Sequence, residues 1–233
     1  MTKKTVRVLS GTIDWLLISI FTLMMLLGLY ALYDSYSLYK SAQDKSILIY
    51  KPQPDSVYTE VPLDGYVAWL TLNGTEIDYP IMQGIDNNEF LNKDPYGNYS
   101  LSGSIFLDSR NSSDFTDGYS LVYGHHMEHG AMFGALDSYK DRFYCRAHKN
   151  GTLMVGGKVY ELDIFASVIT HADKDIVFNP EHPDRDALMR YIQENAVYYD
   201  EIYRDAGNRI LALSTCSSDG SMERFVVFAT INE

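Results

Sequence analysis

One uncharged stretch near the N-terminus divides this 233-residue chain into two different parts. Residues 15–33 carry no charge and are mostly apolar, and that length is enough for a helix to cross a bilayer. The stretch is preceded by three basic residues, Lys3, Lys4 and Arg7. Because basic residues favour the cytoplasmic side, we predict a single-pass topology: a cytoplasmic N-terminus over 1–12, a membrane anchor over 13–33 and an extracellular remainder. A cleaved signal peptide is the alternative, but no clear small-residue cleavage site follows the stretch.

The predicted extracellular part is acidic. The whole chain has a net charge of −12, and residues 34–233 contain 16 basic and 30 acidic side chains. An acidic surface without a basic patch is a poor nucleic-acid binder, so we expect no nucleic acid as a partner. The chain is 46% hydrophobic, and about 200 residues of such composition suit one domain with a full core. We place that domain at 61–233, behind a helical or irregular linker at 34–60.

Two strand-like runs near the C-terminus bring a thiol close to a guanidinium. Residues 209–216 read R-I-L-A-L-S-T-C, and after a polar loop Arg224 opens the run R-F-V-V-F-A-T-I. Side chains alternate faces along a strand, so positions 210, 212, 214 and 216 point the same way. A fixed positive charge beside Cys216 would favour the nucleophilic thiolate. For an isolated cysteine, a small apolar residue closing a strand is the simpler interpretation.

A histidine cluster changes that balance. The strand-like run Ser120–Tyr123 ends at Gly124, and His125 and His126 follow directly. A cysteine with a distant histidine is typical of covalent thiol catalysis, because the pair meets only in the fold. Three histidines within five positions could also bind a metal, but a zinc-protease helix reads H-E-x-x-H, which this segment does not. We therefore expect no metal and no cofactor.

A disulfide is the competing use of the two cysteines. Exported proteins form disulfides, and a bridge from Cys145 to Cys216 would consume the proposed nucleophile. Cys145 lies among large apolar residues in R-F-Y-C-R, which indicates a packed structural thiol.

The remaining patterns favour β structure. Asn73-Gly74 separates two strand-like runs and predicts a hairpin, and further turns are predicted at Asn150-Gly151 and Gly156-Gly157. One helix interrupts this pattern, with Pro183 at its first position and Asp184 and Asp186 complementing its dipole. Its apolar stripe is predicted to contain Leu188, Tyr191, Ile192 and Tyr199. A second helix is expected from about Asp34 to Lys45.

Several of these motifs together resemble the sortases, the cell-surface transpeptidases of Gram-positive bacteria. The motifs are Y-G-H-H-M…M-F-G, L-S-T-C and an arginine eight residues after the cysteine, and the class B branch fits best. Further matching stretches are G-Y-V-A-W-L, I-D-Y-P-I-M-Q-G, F-L-N-K-D and G-S-I-F-L-D, in the family's order. The likeness runs from about residue 60 to the C-terminus. One departure is Ala212, where the family's T-L-x-T-C begins with threonine.

The resemblance implies a mainly β fold: a closed, mostly antiparallel eight-stranded barrel with N-terminal helices and a helix inserted before the strand that carries the cysteine. It also implies a catalytic set of Cys216, His125 and Arg224, with His125 preferred over His126 because the family's histidine directly follows this glycine. With Cys216 as nucleophile, the resemblance implies no disulfide to Cys145. Substrate contacts carried over from the family are Asn87, Leu91, Ile176 and Ser214. Leu91 and Ile176 are equally compatible with a purely structural role in the core.

The function implied by the resemblance is covalent protein anchoring. Such an enzyme cleaves a sorting motif, of the N-P-x-T or P-x-T-G kind, after its threonine in a secreted protein. It then joins the threonine carbonyl to an amine of the peptidoglycan cross-bridge or its lipid-linked precursor. Two other classes stay open: a membrane-anchored thiol peptidase that releases its product to water, and a non-catalytic surface adhesin.

Overall fold

The computed structural model describes residues 3–42, 45–53, 61–181, 184–203, 205–216 and 222–232. The chain divides into two units, Met1–Ser41 and Ala42–Glu233. The first is a single helix, α1 (Lys3–Ala42), and its apolar side chains from Ile13 to Tyr36 are largely exposed. Among the described residues it is the one helix long and apolar enough to cross a membrane, by length and composition. The separate helix expected from Asp34 is instead a continuation of α1.

The second unit is dominated by one sheet. Its strands are β1 (Tyr66–Leu72), β2 (Asp78–Met82), β3 (Ile105–Leu107), β4 (Tyr119–His125), β5 (Asn150–Val155), β6 (Lys158–His171), β7 (Ala196–Tyr199), β8 (Arg209–Cys216) and β9 (Glu223–Asn232). The helices of this unit are α2 (Arg142–Ala147), α3 (Asp175–Phe178) and α4 (Arg185–Asn195). Short 3-10 segments lie at Lys45–Tyr50, Glu128–Gly130 and Phe133–Lys140.

The sheet closes into the expected eight-stranded barrel. Its order is β5-β1-β2-β3-β4-β8-β9-β6, and β5 also pairs with β6, which completes the ring. The β7 strand pairs with β6 outside the ring. Most neighbours in the ring are antiparallel, but β2 with β3 and β4 with β8 are parallel. Closure leaves the ring without an unpaired edge, which removes the usual site of strand-to-strand aggregation.

Alternating side chains fill the barrel from inside and cover it from outside. The interior core includes Val122 of β4 and Leu213 of β8, with Phe133 and Tyr139 from a 3-10 segment. On the other face of the same strands, Leu121 and Ala212 pack against residues of α3 and α4, which form an outer layer. Each strand therefore has one face fixed by the interior and one by the outer layer, which specifies its register.

The inserted helix is confirmed between β6 and β8, with different bounds from those predicted. The α4 helix begins after Asp184, whose carboxylate caps it by accepting a hydrogen bond from the Ala187 N–H at 3.0 Å. Leu188 and Ile192 are buried as the stripe predicts. Tyr199 was wrongly assigned to the helix, because the chain leaves it at Asn195 and Tyr199 ends β7. Pro183 lies outside the described residues.

Two of the three predicted turns are confirmed. Asn73-Gly74 joins β1 to β2, and Gly156-Gly157 joins β5 to β6. The turn predicted at Asn150-Gly151 is wrong, because both residues lie in β5. A Cβ atom on Gly151 would lie 2.6 Å from the Thr71 carbonyl oxygen, so this glycine permits the close approach of β1.

The glycine that precedes His125 is required by the barrel interior. A Cβ atom on Gly124 would lie 2.4 Å from Cδ1 of Ile105 and 2.7 Å from the Phe133 ring. We predict that Gly124→Ala lowers the free energy of unfolding by about 1–3 kcal/mol, because the core must shift to make room. Urea unfolding monitored by circular dichroism measures this change.

Gly118→Ala provides the matched control for Gly124→Ala. Gly118 directly precedes β4, and a Cβ atom there would meet nothing within 4 Å. Equal unfolding free energies for the two variants would contradict the assigned role of Gly124.

Candidate active site

The parallel pairing of β4 with β8 brings the predicted histidine and cysteine together. The register runs without interruption from Tyr119 opposite Ile210 to His125 opposite Cys216. His125 ends β4 and Cys216 ends β8, so the two positions meet at the same end of adjacent strands. Two residues far apart in the sequence thus become neighbours through backbone pairing alone.

Alternation along both strands shows which barrel face carries this pair. Leu121 and Ala212 belong to the outer layer, and Tyr123 packs against the same layer. His125 follows Tyr123 by two positions on β4, and 216 follows 214 on β8. Position 125 therefore continues the outward-facing series of β4, away from the filled interior, and position 216 is its backbone partner on β8.

Arg224 lies at the start of β9, across from the end of β8. The antiparallel ladder between these strands is formed up to Ser214 opposite Val226. Beyond it, the Thr215 hydroxyl accepts a hydrogen bond from the Phe225 N–H at 3.0 Å, so the strands stay together. The same register, if continued by two residues, would place Arg224 opposite Cys216. On its other side Arg224 pairs with Thr170 of β6, and its Nη1 donates to the Glu223 carbonyl at 2.9 Å.

The His125 ring is oriented by the backbone. Its Nε2 lies 2.7 Å from the carbonyl oxygen of Leu91. A carbonyl oxygen only accepts hydrogen bonds, so Nε2 carries a proton and donates it. When the ring is neutral, Nδ1 is the nitrogen without a proton and is the one able to accept one. The Leu91 carbonyl therefore fixes both the orientation and the tautomer of the imidazole.

The neighbouring histidine has a different environment. Nε2 of His126 lies 2.7 Å from Oδ2 of Asp137, in the 3-10 segment that follows the β4 end. Consecutive strand residues face opposite ways, and His126 is directed to this carboxylate. This difference supports His125 as the residue that works with Cys216.

The four predicted substrate residues are distributed around Tyr123. Leu91 packs in a second outer cluster with Phe90, and Tyr123 contacts that cluster as well as the layer that contains Ile176. Ser214 lies opposite Tyr123 and is fully buried. The Asn87 amide is engaged within the protein: its Nδ2 donates to Asp108 at 2.9 Å and its Oδ1 accepts from the Ser109 N–H at 2.8 Å.

Sequence reasoning missed a polar cluster beside these residues. Asp108 directly follows β3 and its side chain is completely buried, yet it accepts hydrogen bonds from Arg110, Asn87 and Tyr123. The acidic residue at the end of the apolar run I-F-L-D could have pointed to this cluster, but we used that run only as part of a family motif. Thr215 was missed in the same way, as a letter of L-S-T-C.

The second cysteine is a buried free thiol, so a disulfide from Cys145 is absent. Burial raises the pKa of Cys145 to about 11. Its sulfur also donates to the Tyr139 carbonyl at 3.1 Å, which holds it in the barrel core. The part of the chain that the structure describes contains no group of three or more His, Cys, Asp or Glu side chains arranged to hold a metal ion.

A cysteine paired with a histidine at the end of a barrel wall, with an arginine at the start of the next strand, is typical of thiol-dependent acyl transfer. Comparison with known proteins agrees with this class. The sortase-domain family model matches residues 70–232. The sortase B of Listeria monocytogenes is 35% identical over 160 residues, which span 68% of this chain and 65% of that protein. The sortase B of Staphylococcus aureus is 29% identical over 170 residues, 71% of this chain and 69% of that protein.

Solved structures give the same result. A class B sortase of Streptococcus pyogenes involved in pilus biogenesis, Spy0129, superimposes with a TM-score of 0.68 at 36% identity, covering 83% of this chain and all of that one. The S. aureus sortase B–substrate complex gives a TM-score of 0.67 at 28% identity, covering 72% of this chain and 80% of that one. The chain belongs to the sortase family, whose members are cysteine transpeptidases of the cell surface, and its relatives place it in the class B branch.

The two thiols are predicted to differ sharply in reactivity. With a pKa of about 11, roughly one Cys145 thiol in ten thousand is ionised at pH 7, and the thiol is buried. We expect iodoacetamide to modify Cys216 in the native protein and to spare Cys145. Peptide mapping by mass spectrometry, with a urea-unfolded sample in which both react, measures this. An inert Cys216 would remove it as a nucleophile and would favour an adhesin.

Proposed function

We propose that this chain is a membrane-anchored transpeptidase that cleaves a sorting motif after its threonine and transfers the threonine carbonyl to a cell-wall amine. The observation that carries the proposal is the parallel register that sets His125 opposite Cys216 on the barrel of a sortase. Covalent thiol catalysis needs a nucleophile and a proton-transfer group within reach of one scissile bond, and this pairing supplies both.

The proposed reaction has two halves. In the first, the Cys216 thiolate adds to the threonine carbonyl carbon, and the carbon–nitrogen bond then breaks. His125 gives a proton to the leaving amine, and a thioester between the substrate and Cys216 remains. In the second half the incoming amine attacks the thioester carbonyl and gives its proton to His125. An amide forms, the carbon–sulfur bond breaks, and the thiolate is restored.

The Leu91 carbonyl determines which nitrogen of His125 takes part. Because Nε2 donates to Leu91, the proton exchanged with substrate amines passes through Nδ1. Protonation of Nδ1 leaves the Nε2 bond intact, so both forms of the ring keep one orientation. This arrangement lets a single histidine act as acid in the first half and as base in the second.

Arg224 is proposed to donate hydrogen bonds to the carbonyl oxygen of the substrate. Its guanidinium stays charged at any working pH and presents a planar fork of donors. From the position opposite Cys216, the fork stabilises the oxyanion of each tetrahedral intermediate or holds the substrate backbone beside the thiol. In the absence of substrate, Nη1 is bonded to the neighbouring Glu223 carbonyl, a contact that a peptide carbonyl can replace.

The anchor and the partners complete the proposal. Residues 13–33 of α1 cross the cell membrane, with 1–12 in the cytoplasm and the catalytic domain, 61–233, outside. The partners are secreted proteins with an N-P-x-T-like or P-x-T-G-like motif and an amine of peptidoglycan or its lipid-linked precursor. Peptides of both motif types that the family resemblance implies are the test substrates.

Transfer to an amine separates a transpeptidase from a thiol peptidase. We expect the full chain in detergent to convert a motif peptide to an amide when triglycine is present, because the amine and water compete for one thioester. Intact-mass analysis reports the acyl-enzyme, the acid and the amide together. We expect Cys216→Ala to abolish all three and Cys145→Ala to retain them. If triglycine leaves the acid as the sole product, the chain is a peptidase; turnover by Cys216→Ala contradicts the mechanism.

Arg224 is tested by a variant that keeps its charge. We expect Arg224→Lys to fold normally and to lose on the order of 100-fold to 1,000-fold in kcat/KM, because an ammonium lacks the planar fork. Arg224→Ala should lose at least as much. Rates are normalised to folded protein measured by circular dichroism. Near-normal turnover in Arg224→Ala, with only a lower Tm, would give Arg224 a structural role instead.

A further inference from the structure

A buried carboxylate lies between the two segments that carry the proposed substrate residues. The first segment, residues 83–91, includes Asn87 and Leu91, and the second is α3, which includes Ile176. We call these segments the two walls, and the surface between them, over Tyr123, the groove. Tyr123 packs against the clusters of both walls. Asp108, at the end of β3, is fully buried beneath this surface.

Asp108 is bonded to the first wall and to the floor. Its Oδ2 accepts from Asn87 Nδ2 at 2.9 Å and from the Tyr123 hydroxyl at 3.0 Å. The wall is tied a second time, because Gln83 Nε2 donates to the Asp108 carbonyl at 3.0 Å. Burial raises the pKa of Tyr123, as does the nearby Asp108 carboxylate, so the hydroxyl keeps its proton and donates it.

Arg110 connects this carboxylate to the second wall. Its Nε and Nη2 each lie 2.8 Å from a different oxygen of Asp108, which is the bidentate geometry of a strong pair. The same Nη2 donates to the carbonyl oxygen of Phe178, the last residue of α3, at 2.8 Å. The chain Asn87–Asp108–Arg110–Phe178 thus spans the groove from wall to wall.

The charge on Asp108 is secured by this arrangement. Burial alone would raise the pKa of Asp108, but the hydrogen bonds and charge of Arg110, with the Asn87 amide, outweigh it and hold the pKa below its usual range. The carboxylate therefore stays ionised at neutral pH and stays bonded to both walls. Arg110 has a side chain 35% exposed, so its substitution does not open the core.

We propose that Asp108 and Arg110 form a clamp that fixes the distance between the two walls of the groove, and that Arg110 is a positioning residue for the sorting peptide. This inference rests on the proposed function, because it assigns the walls to substrate binding. The clamp acts on peptide binding before it acts on the catalytic pair, since neither residue bonds to His125 or Arg224 among the described contacts. The first wall reaches His125 through the backbone carbonyl of Leu91, at the end of that segment. Loss of the clamp should therefore appear in KM before it appears in kcat.

The test compares steady-state kinetics of the full chain and Arg110→Gln with a motif peptide and triglycine. We expect KM for the peptide to rise about tenfold, the size of effect that loss of a charge-assisted hydrogen bond produces, with kcat within about twofold. Arg110→Lys keeps the charge beside Asp108 but cannot hold both Asp108 oxygens and Phe178 in one plane, so a smaller rise is expected. Alkylation of Cys216 by iodoacetamide, which needs no groove, should keep its wild-type rate.

The chain contains a matched control for this experiment. Arg185 also makes a bidentate pair, with Asp205, and its Nη2 also donates to a backbone carbonyl, that of Asn208, at 2.8 Å. Its side chain is 28% exposed, close to that of Arg110. Asn208 directly precedes β8, so this pair lies at the N-terminal end of β8, whereas Cys216 is at the C-terminal end. Arg185→Gln should keep the wild-type KM, and it should lose less stability than Arg110→Gln, because the Asp205 side chain is 27% exposed whereas that of Asp108 is fully buried.

Three outcomes overturn the clamp: a wild-type KM in folded Arg110→Gln, an equal rise of KM in Arg185→Gln, or a fall in kcat alone. Amide hydrogen exchange of the free enzyme gives an independent reading that needs no substrate. Exchange in segments 87–91 and 175–179 should become faster in Arg110→Gln and stay unchanged in Arg185→Gln. If wild type forms no acyl-enzyme with any motif peptide, the proposed function fails, and unchanged exchange in Arg110→Gln would separately reject the clamp.

Discussion

The parallel pairing of β4 with β8 is the interaction on which the site depends. Parallel neighbours require a long crossover, and here the chain forms β5, β6, β7 and the inserted helix before β8 returns beside β4. The pairing places His125 opposite Cys216 without any contribution from the loops. A slip of one residue would put Thr215 opposite His125 and exchange the faces of β8. The proposed chemistry therefore depends on this register, and the packing on both faces of the barrel fixes it.

Side-chain packing on each face of the sheet fixes the register of β4 against β8. Inside the barrel, Val122 and Leu213 are buried in one core, and Gly124 leaves room for Phe133 where the strand reaches His125. Outside, Leu121 and Ala212 are covered by the inserted helices. Side chains take over where the ladder ends: the Thr215 hydroxyl bonds to the Phe225 backbone, and the Leu91 carbonyl holds the His125 ring. The proposed catalytic residues lie at strand ends that the barrel packing supports.

Much of this was predictable from sequence, and the misses have physical causes. The barrel and its class follow from the resemblance to the sortases, and the inserted helix and the Asn73-Gly74 hairpin follow from local sequence patterns. The turn prediction at Asn150-Gly151 failed because Gly151 is needed for the close approach of β1. That contact comes from tertiary packing and cannot be read from local turn propensities. The assignment of Tyr199 to the helix failed because the apolar spacing of the helix continues in the sequence beyond Asn195, where the helix ends. The Asp108–Arg110 pair was invisible because its partners Asn87 and Phe178 come from distant segments.

The most direct test of this account is the register itself, measured by NMR on isotope-labelled full-length protein in detergent. Cross-strand NOEs between backbone protons of β4 and β8 should form one unbroken parallel series, from Tyr119 with Ile210 to His125 with Cys216. We predict that the His125–Cys216 connection belongs to the same ladder as Val122–Leu213. A series that pairs His125 with Thr215, or a ladder that ends at Tyr123, would contradict it.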